Sequence, residues 1–465
     1  HVLWVAIADV AHYVTPGSAL DREARNRGNS TYFPDRVVPM LPDRLSGDLC
    51  SLHEGEDRPC VAVRMVINEA GEKVGQRFLR GIMRSHASLN YVEVQSAIDG
   101  APNEKTDPLL NLVIQPLYAA YSALSSARQR RQPLDLDLPE RRIVLSEHGE
   151  VTSVAFRDRL DAHSLIEEFM VLANVAAAES LNKKRADFLY RVHEEPSPEK
   201  LDALRETAKA SGMVLAKGQV LQTRHLNKLL NDAAGTDHAE LINLSTLRSM
   251  TQAYYNAENF GHFGLALRDY AHFTSPIRRY ADLIVHRALI SSHGWGDDGL
   301  SATEIEVLDE TATHISDTER RSMAAERDTV DRYLASFLSD RVGNEFSARI
   351  SGIARFGAFA KLDETGADGL IPIRSIGSEF FHYDRDEQSL TGADSGLTIR
   401  IGQRVVVRLA EAVPVTGGLL LDLLSIEDTD LPSGRRKSGK GPRRKGARAK
   451  YKKVKERRKL RRKRG

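Results

Sequence analysis

Cysteine is nearly absent: the 465 residues hold two, Cys50 and Cys60. Two thiols build neither a disulfide framework nor a four-ligand zinc site, which leaves a reducing cytosol as the simplest expected compartment. No apolar run approaches the roughly 18 residues that a membrane-spanning helix needs, and no charged-then-apolar leader opens the chain, so neither a membrane nor a secreted protein is expected. A His-Glu-x-x-His pair and a Gly-x-Ser-x-Gly elbow are also missing, which leaves zinc-protease and α/β-hydrolase chemistry without support. Gly434 to Lys440 has most of a phosphate-loop spacing, but Gly441 stands where Ser or Thr must hold magnesium, and no flanking strand and helix are indicated.

Acidic residues are scarce at one end only. Residues 435–465 hold 19 of the 66 Lys and Arg and a single acid, Glu456. The overall charge of +2 therefore conceals a body of net −16 joined to a strongly basic tail. Such a tail gains affinity for nucleic acid by releasing counterions from phosphates.

The fold class expected is α+β. Val- and Ile-rich stretches at 2–10 and 60–68 read as strands with a turn at Asn68–Gly71. Helical spacing follows at 109–131, 161–183, 198–211, 219–232, 240–255, 277–292 and 303–339. The texture changes at Gly343: short alternating stretches at 345–363, 368–373, 398–409 and 417–424 suit a small OB-type barrel. The expected domains are thus 1–341, a barrel over 342–428, and a basic tail over 429–465 with no means of forming a core.

The segment GHFGLALRDYAHFTSPIRRYADLIVHR, 261–287, carries the most chemistry. Thr274, Ser275 and Pro276 suit a helix start. Arg278 and Arg279 would then lie in the first turn, where guanidinium and free N–H groups converge as a phosphate site. Pairing with Asp282 is the competing reading.

This segment resembles the signature of the RNB domain of the ribonuclease II/ribonuclease R family. Residues 14–52, 163–174 and 188–198 resemble further blocks of it, and with the barrel and basic tail the resemblance covers nearly the whole chain and favours the ribonuclease R branch. It implies processive 3′-to-5′ hydrolysis of RNA to nucleoside 5′-monophosphates, with Mg2+ activating water. Arg278 matches the arginine that holds the scissile phosphate, Tyr32 the aromatic that stacks on the terminal base, and Glu167 and Glu326 two carboxylates at the 3′-end pocket. The family's metal-binding aspartates would precede His1; no metal ligand is expected within this chain, which read as an N-terminally truncated piece should itself be inactive. Asp135 and Asp137 are weak substitutes, and Leu136 stands where relatives often carry a clamping Phe.

The barrel resembles the S-one type of RNA-binding OB domain. Phe356, Phe359, Phe380, Phe381, His382 and Tyr383 are candidates for its stacking platform, with Phe356 and His382 the most exposed, and Arg355 and Arg404 supply backbone charge. The expected partners are single-stranded RNA and, through the tail, structured or ribosome-associated RNA, bound by a monomer. The alternative is a non-catalytic RNA-binding protein on the same scaffold.

Overall fold

The computed structural model describes residues 1–430 apart from 137–140, 157–158, 219, 237, 385–387 and 428. The basic tail from 431 onward, and Asp137, lie outside the described residues.

Three antiparallel strands open the body: Val2–Ala8, Asp57–Ile67 and Lys73–Arg84, with Asp57–Ile67 in the middle. Alternation along the first strand turns Leu3 and Val5 into the core and leaves Val2 and Trp4 outside. The hairpin between the second and third strands turns at Gly71 (φ +74°), where a Cβ would lie 2.0 Å from the carbonyl oxygen of Ala123 on the helix Gln115–Arg131. Only glycine permits that approach.

The sheet packs against two helices. Asp161–Lys184 presents Ala173, Ala176, Ala177 and Ala178, small enough for close contact. Tyr280–His293 is buried from Tyr280 through Ile290, as expected for a helix apolar on nearly every side. Three polar groups nevertheless lie on it. Arg287, fully buried, donates to the Val14 carbonyl at 2.6 Å, pairs with Asp21 at 2.8 Å, and pairs with Glu304.

Five strands, Glu345–Ala354, Gly357–Leu362, Asp368–Pro372, Arg404–Val413 and Gly418–Ile426, close into a barrel through the parallel pairing of Leu370 with Leu420. The expected strand 398–409 is divided. Thr398–Arg400 instead completes a separate three-stranded sheet with Phe381–Asp384 and Ser389–Gly392. The division falls at Gly402, whose left-handed φ of +89° turns the chain before Arg404.

The body and barrel share one element. The helix Leu308–Ser339 places Leu308, Ala312 and Ile315 in the body's core and Leu334, Ala335 and Leu338 in the barrel's core. Ile143 and Val154 of the hairpin Arg141–Leu145/Val151–Phe156 also pack on the barrel, and Arg248 donates to the Ser351 carbonyl at 2.7 Å. No helix among the described residues is long and apolar enough to cross a membrane.

Candidate functional site

The motif's helix begins later than its Ser-Pro sequence suggests. The N–H groups of Arg278 and Arg279 fold back onto the Ser275 carbonyl at 3.2 and 3.1 Å. The Tyr280 N–H donates to Gly28 at 2.9 Å, and the helix starts there. Pro276, Arg278 and Arg279 therefore form the turn before the helix rather than its first turn.

The two arginines part company in that turn. Arg279 is held inward by Asp282, Nε to Oδ2 at 2.7 Å and Nη2 to Oδ1 at 2.8 Å. Asp282 Oδ1 also accepts from the Ser275 N–H at 2.7 Å. The competing reading thus holds for Arg279, which braces the turn instead of presenting a free charge. Arg278 is exposed and has no ion pair among the described residues.

Two distant segments are tied to this turn. Ser30 N–H donates to the Arg278 carbonyl at 3.0 Å, and Asn29 bridges to Arg279 in β fashion. At Gly28 (φ +72°) a Cβ would lie 2.0 Å from Thr318 Oγ1, so the loop runs hard against the long helix. Three residues further, Thr31 meets Ser322 hydroxyl to hydroxyl at 2.9 Å, and Tyr32 N–H donates to Glu326 Oε1 at 2.6 Å.

The result is a cavity of about 200 Å3 lined by Tyr32, Arg278, Arg279, Glu326, Tyr255 and Glu319, among others. The structure brings Arg278, Tyr32 and Glu326 together. Glu167 is not among the residues that line this cavity. Along the helix Asp161–Lys184 the next residue, Glu168, turns inward to Arg128 at 2.8 Å, which leaves Glu167 on the outside, paired with Arg159.

Glu319 and Tyr255 were not singled out from the sequence. Ile315, Glu319, Ser322, Met323 and Glu326 follow the three- and four-residue spacing of one helix face, so the signal for Glu319 was present. Arg191 grips Glu319 at 2.6 and 3.1 Å while lying 4.7 Å over the Tyr255 ring. Tyr255 in turn meets His272 Nδ1 at 3.0 Å, and burial raises its hydroxyl well above the ordinary phenol range.

Several imidazoles of the body are kept neutral by burial. It pushes His262 down to about 3 and lowers His193, His272 and His286 as well. An unfolded histidine protonates near 6.5. Between that pH and about 3 the unfolded chain takes a proton that folded His262 refuses. Stability is therefore complete above about pH 6.5 and falls on acidification, by about 1.4 kcal/mol per pH unit for this group. Urea midpoints at about pH 7.5, 6 and 5 should decline in that order, and His262→Gln should flatten the decline. A profile unchanged by that substitution contradicts the assignment.

On the barrel, Phe356 and His382 are exposed, as are Arg355 and Arg404. Phe359 is half-buried, edge-on to Phe356 at 6.0 Å. Phe380 is exposed and edge-on to His382 at 4.9 Å, whereas Phe381 belongs to the barrel core. Tyr383 packs against that core.

Among the described residues no three His, Cys, Asp or Glu are grouped to hold a metal ion. The described residues therefore do not fit the divalent metal that the sequence resemblance implies.

The RNB domain pattern matches residues 1–292 and the S1 RNA-binding domain pattern residues 339–417. Ribonuclease R of Escherichia coli (strain K12) is 40% identical over 422 residues, covering 88% of this chain and 52% of that protein. Mycoplasma genitalium RNase R, solved with ribose-methylated single-stranded RNA, superposes with a TM-score of 0.85 at 32% identity, over 91% of this chain and 66% of that one. Its complex with double-stranded RNA gives a TM-score of 0.78 at 29% identity, over 91% and 70%. The chain spans about half the length of the curated relatives it matches.

Proposed function

The chain belongs to the RNB-domain family, and from that premise we propose that it forms the RNA-gripping core and S1 domain of a processive 3′-to-5′ exoribonuclease of the ribonuclease R type, releasing nucleoside 5′-monophosphates. The observation that carries the reading is the shared cavity of Arg278, Tyr32 and Glu326. Arg278 neutralises the phosphodiester nearest the 3′ end with a forked, charge-assisted contact. Tyr32 stacks on the last base, a sequence-tolerant contribution of about 1–3 kcal/mol. Glu326 fixes the Tyr32 backbone through Oε1, leaving Oε2 to accept a ribose hydroxyl. Arg279 and Asp282 act through the turn and are positioning residues.

Family exoribonucleases generally depend on a divalent metal, which activates the attacking water when bound. Because the described residues offer it no site, binding is the informative readout for this chain. The 465-residue chain should bind a short single-stranded RNA with a free 3′ hydroxyl at least tenfold more tightly than the same strand with a bulky 3′ block, measured by fluorescence anisotropy. Equal affinities would sink the end-pocket reading.

The same cavity would serve a non-catalytic RNA-binding protein on the same scaffold. Magnesium-dependent release of mononucleotides by the full-length protein separates the two. Release supports the enzyme, and its absence with binding retained supports the binder.

A further inference from the structure

A second cleft, of about 850 Å3, opens where the end of the helix Gln115–Arg131, the start of the helix Thr223–Ala233 and the loop 260–267 meet. Its lining includes the exposed Arg130 and Arg224, the partly buried Arg131, and Phe260, which is 53% exposed; the Arg130 guanidinium also donates to the Ala70 carbonyl. Such a concentration of arginine is unexpected on a body whose net charge is −16.

The charges beneath it are out of balance. Arg128 and Arg131 share one buried carboxylate, Glu168, at 2.8 and 3.9 Å. Arg128 holds it closely, so Arg131 is left under-compensated. The Arg131 Nε is buried with no hydrogen-bond partner, and burial pushes this guanidinium's pKa down. A buried cation without its full counter-charge is costly, and an anion in the cleft would complete it. The cleft also contains Glu194 and Glu195, of which Glu194 accepts from the Tyr254 hydroxyl at 2.6 Å.

The floor suits a base. His193 accepts the Gly264 N–H at 2.9 Å and stacks on His262 with ring centroids 5.1 Å apart. His262 lies edge-on to Tyr270 and Tyr270 to His272, which meets Tyr255 in the wall of the end cavity. A chain of rings, His262, Tyr270, His272 and Tyr255, therefore runs from the cleft to the end cavity. The cleft also lies towards the barrel: the helix Thr223–Ala233 packs on Ala239–Ser249, whose Arg248 bonds the barrel backbone.

We propose that this cleft is a second RNA subsite, in which Arg130, Arg131 and Arg224 hold internal phosphodiesters and Phe260 stacks an internal base of the strand. The proposal rests on the reading of the chain as an RNA-binding RNB protein, but not on the end cavity holding the 3′ terminus. Cationic walls over a neutral aromatic floor are the arrangement that grips single strands without regard to sequence.

The test uses the 465-residue chain with a ribo-trinucleotide and a ribo-decanucleotide. Arg130 and Arg224 are exposed, so the double variant Arg130→Ala/Arg224→Ala should fold normally. It should weaken decanucleotide binding about tenfold and lower the slope of log K against log salt by about 1.4, two phosphates' share for a single strand, while leaving the trinucleotide unaffected. Phe260→Ala should cost the decanucleotide about tenfold and abolish photocrosslinking from an internal 5-iodouridine to the loop 260–267. Equal losses for both oligomers, or an unchanged salt slope, would overturn the proposal. So would saturation of the cleft by AMP without displacement of the decanucleotide, which would mark a mononucleotide site instead. A 3′ block that leaves these losses intact separates failure of the end pocket from failure of this subsite.

Discussion

Arg287→Leu should lower folding stability by about 3–5 kcal/mol, the usual cost of removing one partner from a buried ion cluster. Arg287 is fully buried and is the cation between Asp21 and Glu304. Leucine would leave those carboxylates without it and strand the Val14 carbonyl, which accepts from Arg287 at 2.6 Å. Asp21 keeps partial relief, since the Tyr280 hydroxyl donates to it at 2.8 Å. Glu304 keeps the Ser301 N–H and hydroxyl as donors. Neither supplies positive charge. The guanidinium-induced unfolding midpoint is the measurement, and a loss below about 1 kcal/mol would show that the cluster relaxes into water, against its burial in this fold.

Arg278→Ala should act on RNA and hardly on folding. Losing a charge-assisted, forked phosphate contact of about 1.5–3 kcal/mol predicts a 10- to 100-fold weaker affinity for RNA with a free 3′ end, at roughly tenfold per 1.4 kcal/mol. Because Arg278 is exposed and has no ion pair among the described residues, the unfolding midpoint should stay put. Arg278→Lys should recover part of the affinity, since the charge returns without the fork. Affinity within twofold of the parent after Arg278→Ala would remove the residue from the phosphate site. The neighbouring Arg279 makes the contrast: it is locked to Asp282 by two hydrogen bonds, so its loss falls on the turn itself.

That contrast marks where sequence reasoning stops. Two adjacent arginines after Ser-Pro suggested a phosphate site, and Asp282, three residues beyond Arg279, was legible as a rival partner. Which arginine went where was not. The helix starts at Tyr280 because its N–H finds the carbonyl of Gly28, a partner 252 residues away that no local capping rule can see. Glu326 shows the converse, being one charged residue among many on a long helix until Tyr32 N–H is found on it. Glu167 has the right residue type beside the right neighbour, yet the helix turns Glu168 inward and Glu167 outward. The body's helices and the barrel's strands were readable because periodicity reports burial. The small sheet over 381–400 was not, because a single glycine at 402 redirects a stretch that otherwise alternates like one strand.

The helix Leu308–Ser339 sets a length scale. At 1.5 Å per residue its 32 residues span about 48 Å, anchored at one end in the body and at the other in the barrel, with Glu326 between. A rod seated in both cores works as a ruler: on the proposed function, the barrel surface that would capture an RNA and the cavity that would receive its end stay a set distance apart. Strands too short to bridge that distance gain from one or the other. Beyond a threshold number of nucleotides both engage at once, so affinity should rise in a step with oligomer length.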